Sequence, residues 1–440
     1  MKLTRENFST DQHGWAELLP ERQPPARLKD LAKKQRVAFV VIGAGVTGLA
    51  CARRLGQLHP EKDVMLLDAR RVGQGASGRN SGYAVAVSQF SGGLKADQIP
   101  DFKRINRINK AGLELLRRQV RDLNLDCQWS DSGFHHAAAD KVSMREHGLF
   151  VDYLKALEIN HTVLDAPELQ QRLGTGHYQA GVHVHDGALV QPAALVRGLA
   201  DHLPENVSLY EQTPVLKVEA GSPVKVQFEN GEIRADAVFL ATNYEAGKIG
   251  FLARYLIGST LSGSFTRVLD DQEIASLGSL AEWGVLSLHG GGATVRLTQD
   301  QRICLRNTAE YHGGALLSDQ QLGERTAIHR ASFDQRFPQL AHVSFEFSWS
   351  GVEGISANGT NFFGRQHDNI YLAGGYNGSG VSRGTAFGTA LADFASGGHS
   401  DLINDCLASP PASWLPPRPL LDIGAAFTVR SRFRGVGRDR

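Results

Sequence analysis

The sequence predicts a mixed α/β protein in which a domain built on a parallel sheet is interleaved with a second domain built on an antiparallel or mixed sheet. Three observations carry this. An apolar strand runs into a glycine turn, a helix and a second strand at residues 37–68. Another strand, glycine turn and helix follow at 369–393, near the far end of the chain. The stretches between them have a different character, with short alternating strands and amphipathic pieces.

The first element joins the apolar run 37–42 to Gly43-Ala44-Gly45-Val46-Thr47-Gly48, then a helical pattern, then an apolar run ending in Asp68. This order is that of a Rossmann-type dinucleotide site. Gly43 permits the tight turn, Gly45 lets the backbone approach a pyrophosphate, and Gly48 lets the helix pack against the strand. The helix N-terminus offers free N–H groups and a positive dipole end to phosphate. Asp68 is placed to accept from ribose hydroxyls. NAD and FAD both present this layout, so the redox end must be read elsewhere.

Residues 69–85 are rich in small side chains and read as a loop allowing close backbone approach. Residues 101–125 have helical spacing with a basic face that reads as solvated, and 126–180 mix strand and helix signals. Residues 207–220 read as one or two strands, and 224–243 as a hairpin whose Asn230-Gly231 suits a type I′ turn. The run 237–241 then reads as a buried parallel strand. Further on, 294–307 reads as a hairpin and 325–337 as a helix. The expected organisation is an N-terminal extension 1–36, nucleotide-domain segments 37–95, 181–250 and 346–400, substrate-domain segments 96–180 and 251–345, and a tail 401–440.

The second glycine-rich turn, 374–380, points to a flavin. Reduction places negative charge on the flavin's N1–C2=O edge, and a helix N-terminus stabilises such charge by about 0.3–1 kcal/mol. The helix beginning near Val381 would supply that end.

The segments GAGVTGLACARRL, GASGRNSGY, HDGALVQPAALVRGLA, ADAVFLATNYEA, WSGVEGI and NIYLAGGYNGSGVSRGTAFGTALAD, in this order, resemble the D-amino-acid oxidase (DAO) superfamily of FAD enzymes. Within it the chain is most similar to the glycine oxidase, sarcosine oxidase and gamma-glutamylputrescine oxidase branch. The resemblance implies an FAD-binding domain interleaved with a substrate domain. It also implies oxidation of an amine or amino acid by hydride transfer to flavin N5, giving an imine that water hydrolyses, with O2 as the oxidant. On matching positions, Gly43, Gly45, Val46, Thr47 and Gly48 resemble the pyrophosphate turn. Asp68, where the family usually has a glutamate, and Ala69 and Arg70 fall at the adenosine end. Ser77, Arg79, Asn80, Ser81 and Gly82 resemble the loop under the flavin, Val215 or Val218 the adenine contact, and Ala241 and Thr242 the strand end near the dinucleotide. Gly375, Tyr376, Asn377, Gly378, Gly380 and Val381 resemble the pyrimidine cradle. Some relatives attach FAD through a cysteine before the last turn; none lies between Trp349 and Gly380 here, so non-covalent FAD is expected. Sarcosine oxidases place a lysine above the flavin to activate oxygen, whereas the last lysine here is Lys248. That keeps open a dehydrogenase passing electrons to a quinone or protein, and a flavin-binding protein without turnover.

No catalytic acid or base is assigned. Arg296, Arg302 and Arg306 alternate onto one side of a strand if no turn intervenes, and one of them could then hold a substrate carboxylate. If Asp300-Gln301 is a turn, they are solvated; spacing leaves both open. Tyr83, Tyr311, Trp349 and Tyr376 are the aromatic candidates for a pocket wall. His183, His185 and Asp186 look metal-like but have no third ligand at fitting spacing, so no metal is expected. His135 and His136 point to opposite faces of a strand and receive no role.

The formal net charge of +1 gives no reason to expect nucleic acid as a partner. Four widely separated cysteines without a CxxC fit a reducing compartment, and the expected location is cytoplasmic. No apolar stretch approaches the roughly 20 residues of a membrane span. The basic tail RSRFRGVGRDR reads as a solvated end; the alternative, an anionic-membrane contact, is disfavoured by its few apolar anchors. The expected partners are therefore a small amine or amino acid and O2 or another electron acceptor.

Overall fold

The structure is a computed structural model that describes residues 13–22, 36–88, 94–229, 231–433 and 435–440. Two eight-stranded sheets dominate it. The first is ordered Phe362–His367, Ile370–Gly374, Gly231–Leu240, Arg36–Ile42, Val64–Leu67, Val207–Tyr210, with Val215–Glu219 and Val224–Phe228 continuing from Gly231–Leu240. Arg36–Ile42 pairs in parallel with both Val64–Leu67 and Gly231–Leu240, and the latter pairs in parallel with Ile370–Gly374. Helices cover this sheet, so its central strands are near-continuous apolar runs, and Val64–Leu67 is buried at every position. The strand read at 237–241 is the buried end of the longer Gly231–Leu240 strand. In the hairpin before it, Phe228 pairs with Gly231; Asn230 of the expected turn lies outside the described residues.

Two helices on the first sheet bring the distant ends of the chain together. Val46–Leu58 follows the first glycine turn and Gly380–Ala395 follows the last. They cross where a Cβ on Gly388 would lie 2.1 Å from the Thr47 carbonyl oxygen, so only glycine allows this approach. At the first turn a Cβ on Gly48 would lie 1.7 Å from the Gly43 oxygen, which confirms the close strand–helix packing expected there.

The second sheet runs Phe345–Ser356, Leu256–Thr266, Ile303–Glu310, Thr294–Leu297, Trp283–Ser287, Phe134–Ala138, Ala180–Val184, His161–Asp165. All its pairings are antiparallel except Trp283–Ser287 with Phe134–Ala138. Its strands Ala180–Val184 and Phe345–Ser356 span the boundaries drawn at 181 and 346, so the second sheet extends further along the chain than expected at both places. The helix expected at 325–337 starts earlier, as Asp319–Arg336, because Ser318 caps it by accepting from the Gln321 N–H.

Both chain ends depart from the sequence reading. Within the N-terminal extension, Gly14–Glu17 forms a helical turn that buries Trp15 completely against Phe265 and Trp349. The tail is not a free solvated end. It forms the helix Leu420–Arg432 and then docks: Arg336 donates to the carbonyls of Asp439 and Arg440, and Asp439 is fully buried. The helix Ile99–Asp122 also differs on one point, since Arg104 of its basic face is buried and donates to the Asp405 carbonyl.

Candidate functional site

Between the sheets lies a cavity of about 900 Å³, near the upper end of the roughly 300–1,000 Å³ usual for ligand pockets. Both glycine turns open onto it. Gly43, Gly45, Val46 and Thr47 line it from one side, and Tyr376, Asn377, Gly378, Gly380 and Val381 from the other. The Thr47 hydroxyl donates to the Tyr376 hydroxyl over 2.9 Å, tying the two turns directly.

The loop after the second strand is ordered as a short helix, Ala76–Arg79, with Ser77, Arg79, Asn80 and Ser81 in the cavity wall. The Ser77 hydroxyl accepts from the Val46 N–H at 3.1 Å, so this loop is latched to the first turn. Asn80 closes an Asx turn by accepting from the Gly82 N–H at 2.9 Å. Arg79 donates to the Ser350 carbonyl, and Trp349 Nε1 donates to the Arg79 carbonyl, binding the loop to the second sheet.

Asp68, Ala69, Arg70 and Val215 line one end. Asp68 Oδ2 accepts from the Ala44 N–H at 2.7 Å and Oδ1 from the Arg70 N–H at 2.8 Å, leaving further lone pairs on each oxygen. Burial pushes its carboxyl up to about 6, against the opposing pull of those two N–H groups. Arg70 forms a two-pronged ion pair with Glu245, and Lys248 also donates to Glu245. Ala241 and Thr242 close the floor, and Thr242 Oγ1 is buried without a hydrogen-bond partner. Gly48, Gly82, Val218 and Gly375 do not reach the wall; Gly48 acts from behind it through packing.

The second sheet forms the opposite wall. Of the three arginines, Arg306 lines the cavity, while Arg296 and Arg302 do not. The turn expected at Asp300-Gln301 is present, so Arg296 faces Cys304 across the hairpin and Thr294 faces Arg306. Arg296 is fully buried and donates to the carbonyls of Gly82 and Val190 and to Glu282. Arg302 pairs with Glu346 and donates to the Thr266 carbonyl. Neither is solvated, and neither is available to a ligand. Arg306 donates to Thr294 Oγ1, and burial makes its charge harder to hold. Tyr83, Trp349 and Tyr376 line the cavity; Tyr311 does not, and its hydroxyl donates to Asp422.

Four of the lining residues that escaped the sequence reading bear on the site. His136 faces the cavity from Phe134–Ala138, its ring tilted against Phe150 at 4.5 Å, and burial holds it neutral down to about 3. Its signal was strand alternation, which separates it from His135 without saying which face is the cavity. Glu353 lies in the wall near Arg306, whose charge it favours. Val429 and Phe433 close the cavity from the C-terminal helix, a contact no local pattern announces. Among the described residues no group of three or more His, Cys, Asp and Glu could hold a metal ion.

The residues present fit a dinucleotide. Two helix N-termini converge on one cavity, an acid stands twenty positions past Gly48, and the orphaned Thr242 hydroxyl faces the same space. Comparison with known proteins agrees. The family described as DAO, FAD dependent oxidoreductase, matches residues 38–394. The gamma-glutamylputrescine oxidoreductase of Escherichia coli K12 is 24% identical over 362 residues, covering 81% of this chain and 83% of that protein. A probable oxidoreductase OrdL of Rhizobium meliloti is 27% identical over 432 residues, covering 91% and 92%. Among solved structures, glycine oxidase from Geobacillus kaustophilus superposes with a TM-score of 0.69 at 18% identity, covering 83% of this chain and 96% of that one. L-amino acid deaminase from Proteus myxofaciens gives 0.68 at 16%, covering 84% and 92%. The chain therefore belongs to the DAO family and is an FAD-dependent oxidoreductase.

Proposed function

We propose that this DAO-family enzyme oxidises the carbon next to the nitrogen of an amine that also carries a carboxylate. Bound non-covalently, FAD would supply the hydride acceptor at N5, and water would hydrolyse the resulting imine. The first turn, Gly43 to Gly48, would hold the pyrophosphate at the N-terminus of the helix Val46–Leu58, and Asp68 would take the ribose. The turn Tyr376–Gly380, leading into the helix from Gly380, would hold the flavin's pyrimidine edge, and Ser77 to Ser81 would support the flavin from the loop. Arg306 on the opposite wall holds the carboxylate, and Tyr83, Trp349 and Tyr376 exclude water from the reacting carbon. The observation that carries this reading is the convergence of both glycine turns on a cavity whose far wall presents one arginine. No histidine or carboxylate need act as a base, because the lost proton leaves from nitrogen.

Support for an amine substrate comes from the gamma-glutamylputrescine oxidoreductase relative, and for amino acids from the glycine oxidase neighbour. The test is anaerobic reduction of the purified holoenzyme by glycine, sarcosine, D- and L-amino acids, and polyamines with their glutamylated forms. Bleaching of the flavin confined to carboxylate-bearing amines supports the proposal, and bleaching by simple amines alone contradicts it. A second reading replaces O2 by a quinone or protein acceptor. It is favoured by the absence of lysine after Lys248, which sits at the adenosine end in the grip of Glu245. Slow recovery of colour in air after bleaching would select it.

A further inference from the structure

The C-terminal helix Leu420–Arg432 is amphipathic in the reverse of the usual sense. Its inner side reaches the protein through Val429, in the cavity wall, and through Asp422, which accepts from the Tyr311 hydroxyl. Its outer side presents Leu420, Ile423 and Phe427, spaced three and four apart and so on one face. Together with Trp414, six positions before the helix, these are the four most exposed large apolar side chains among the described residues, at 52–66% exposure. Soluble proteins seldom leave such a cluster open without a use for it. The ring of Trp414 lies over the Arg254 guanidinium at 5.4 Å. Arg418 and Arg430 are exposed just before and within the helix, and Arg438 and Arg440 are exposed beyond its end. In sequence, residues 414–440 hold six arginines against two acids, and one of those acids, Asp439, is buried.

From this we infer that the helix Leu420–Arg432 docks the enzyme on an anionic lipid surface. The apolar stripe enters the boundary between headgroups and acyl chains, and the flanking arginines meet acidic headgroups. Charge and area both favour lipid over a second copy. A two-fold contact through this face would bring the arginines of both chains together. Four side chains, each partly covered already, also offer on the order of 400 Å², about half of the roughly 800 Å² per partner that a stable dimer buries. No described helix is long and apolar enough to cross a membrane, so the contact is interfacial. Because Val429 and Phe433 sit in the cavity wall, docking sets the cavity's C-terminal side against the lipid. The inference does not rest on the proposed chemistry.

The test is co-sedimentation of the full-length, flavin-loaded protein with phosphatidylcholine vesicles, with and without phosphatidylglycerol, at low and high salt. The expected result is binding to the anionic vesicles only, weakened by salt. The double variant Ile423→Ser/Phe427→Ser should bind at least about tenfold more weakly, and Arg430→Gln should bind less with a shallower salt dependence. Both changes are on the surface, so flavin content and melting temperature should match the parent. Failure to bind anionic vesicles at low salt, or equal binding by the double variant, overturns the inference. So does a dimer in light scattering that the double variant converts to monomer, since a second copy would then cover the stripe.

Discussion

Replacing Gly388 by alanine sets two opposing effects against each other at the crossing that joins the two ends of the chain. Alanine is worth about 1 kcal/mol over glycine in a helix interior. Against this, its Cβ would stand 2.1 Å from the Thr47 carbonyl oxygen, a backbone atom that no rotamer change can move. Reaching ordinary contact at 3.4 Å requires the two helices to part by roughly 1.3 Å. Overpacking of this kind costs about 1–3 kcal/mol. The same displacement breaks the 2.9 Å Thr47–Tyr376 hydrogen bond, worth about 1 kcal/mol. The clash therefore wins, with a net loss of about 1–3 kcal/mol. Both turns shift relative to each other, so FAD should bind at least about tenfold more weakly, the equivalent of 1.4 kcal/mol. The assays are urea unfolding and titration of the apoprotein with FAD. Gly424→Ala is the control: nothing lies within 4 Å of its Cβ, so it should stabilise. If Gly388→Ala instead stabilises the protein like the control and leaves FAD affinity unchanged, the crossing does not hold the two turns in place.

Arg306→Gln should lower kcat/KM for carboxylate-bearing amines by roughly 10–150-fold, the loss of a hydrogen-bonded charge pair, with little effect on amines lacking a carboxylate. Steady-state kinetics on both substrate classes check this, and an equal loss on both would place Arg306 in a structural role. Trp15→Ala should destabilise by about 3–5 kcal/mol, seen as a lower melting temperature, because the ring fills the space against Phe265 and Trp349. The urea midpoint should fall as pH drops from 7 towards 5. Burial holds His13, His135, His136 and His177 neutral down to about 3, so below 6.5 the unfolded chain takes protons that the native state refuses. Each adds up to about 1.4 kcal/mol per pH unit. Asp68, raised to about 6, and Asp439, raised by its burial, act in the other direction, their contributions fading as pH rises, but they are two groups against four. A midpoint that is flat or rises on acidification would contradict the burial of these rings.

Both glycine turns were legible because their requirements are local. At the first, the Gly43 carbonyl oxygen stands where a Cβ on Gly48 would lie, so the turn and the helix that starts in it impose glycine whatever the rest of the chain does. The arginine hairpin was half legible: alternation placed Arg296 and Arg306 on one face, but only the cross-strand register separates the side chain at the cavity from the one held by Gly82, Val190 and Glu282. His136 shows the same limit, since period two tells faces apart without naming the one that meets a ligand. The extremities were misread for a different reason. Trp15 sits in a polar stretch, and Asp439 in a basic one; each is buried by partners more than a hundred residues away, Phe265 and Trp349 for the first and Arg336 for the second. The strand Phe345–Ser356 was placed with the nucleotide segment that follows it, although its long antiparallel register with Leu256–Thr266 assigns it to the second sheet.

Flavin occupancy and its fate under substrate test the central claim most directly. The protein should purify yellow with close to one FAD per chain, released by acid or denaturant without a covalent remnant. Its visible absorbance should then bleach anaerobically with an amine bearing a carboxylate. A colourless protein that takes up no FAD, or one that binds a nicotinamide dinucleotide in its place, would contradict the assignment of both turns to a single flavin.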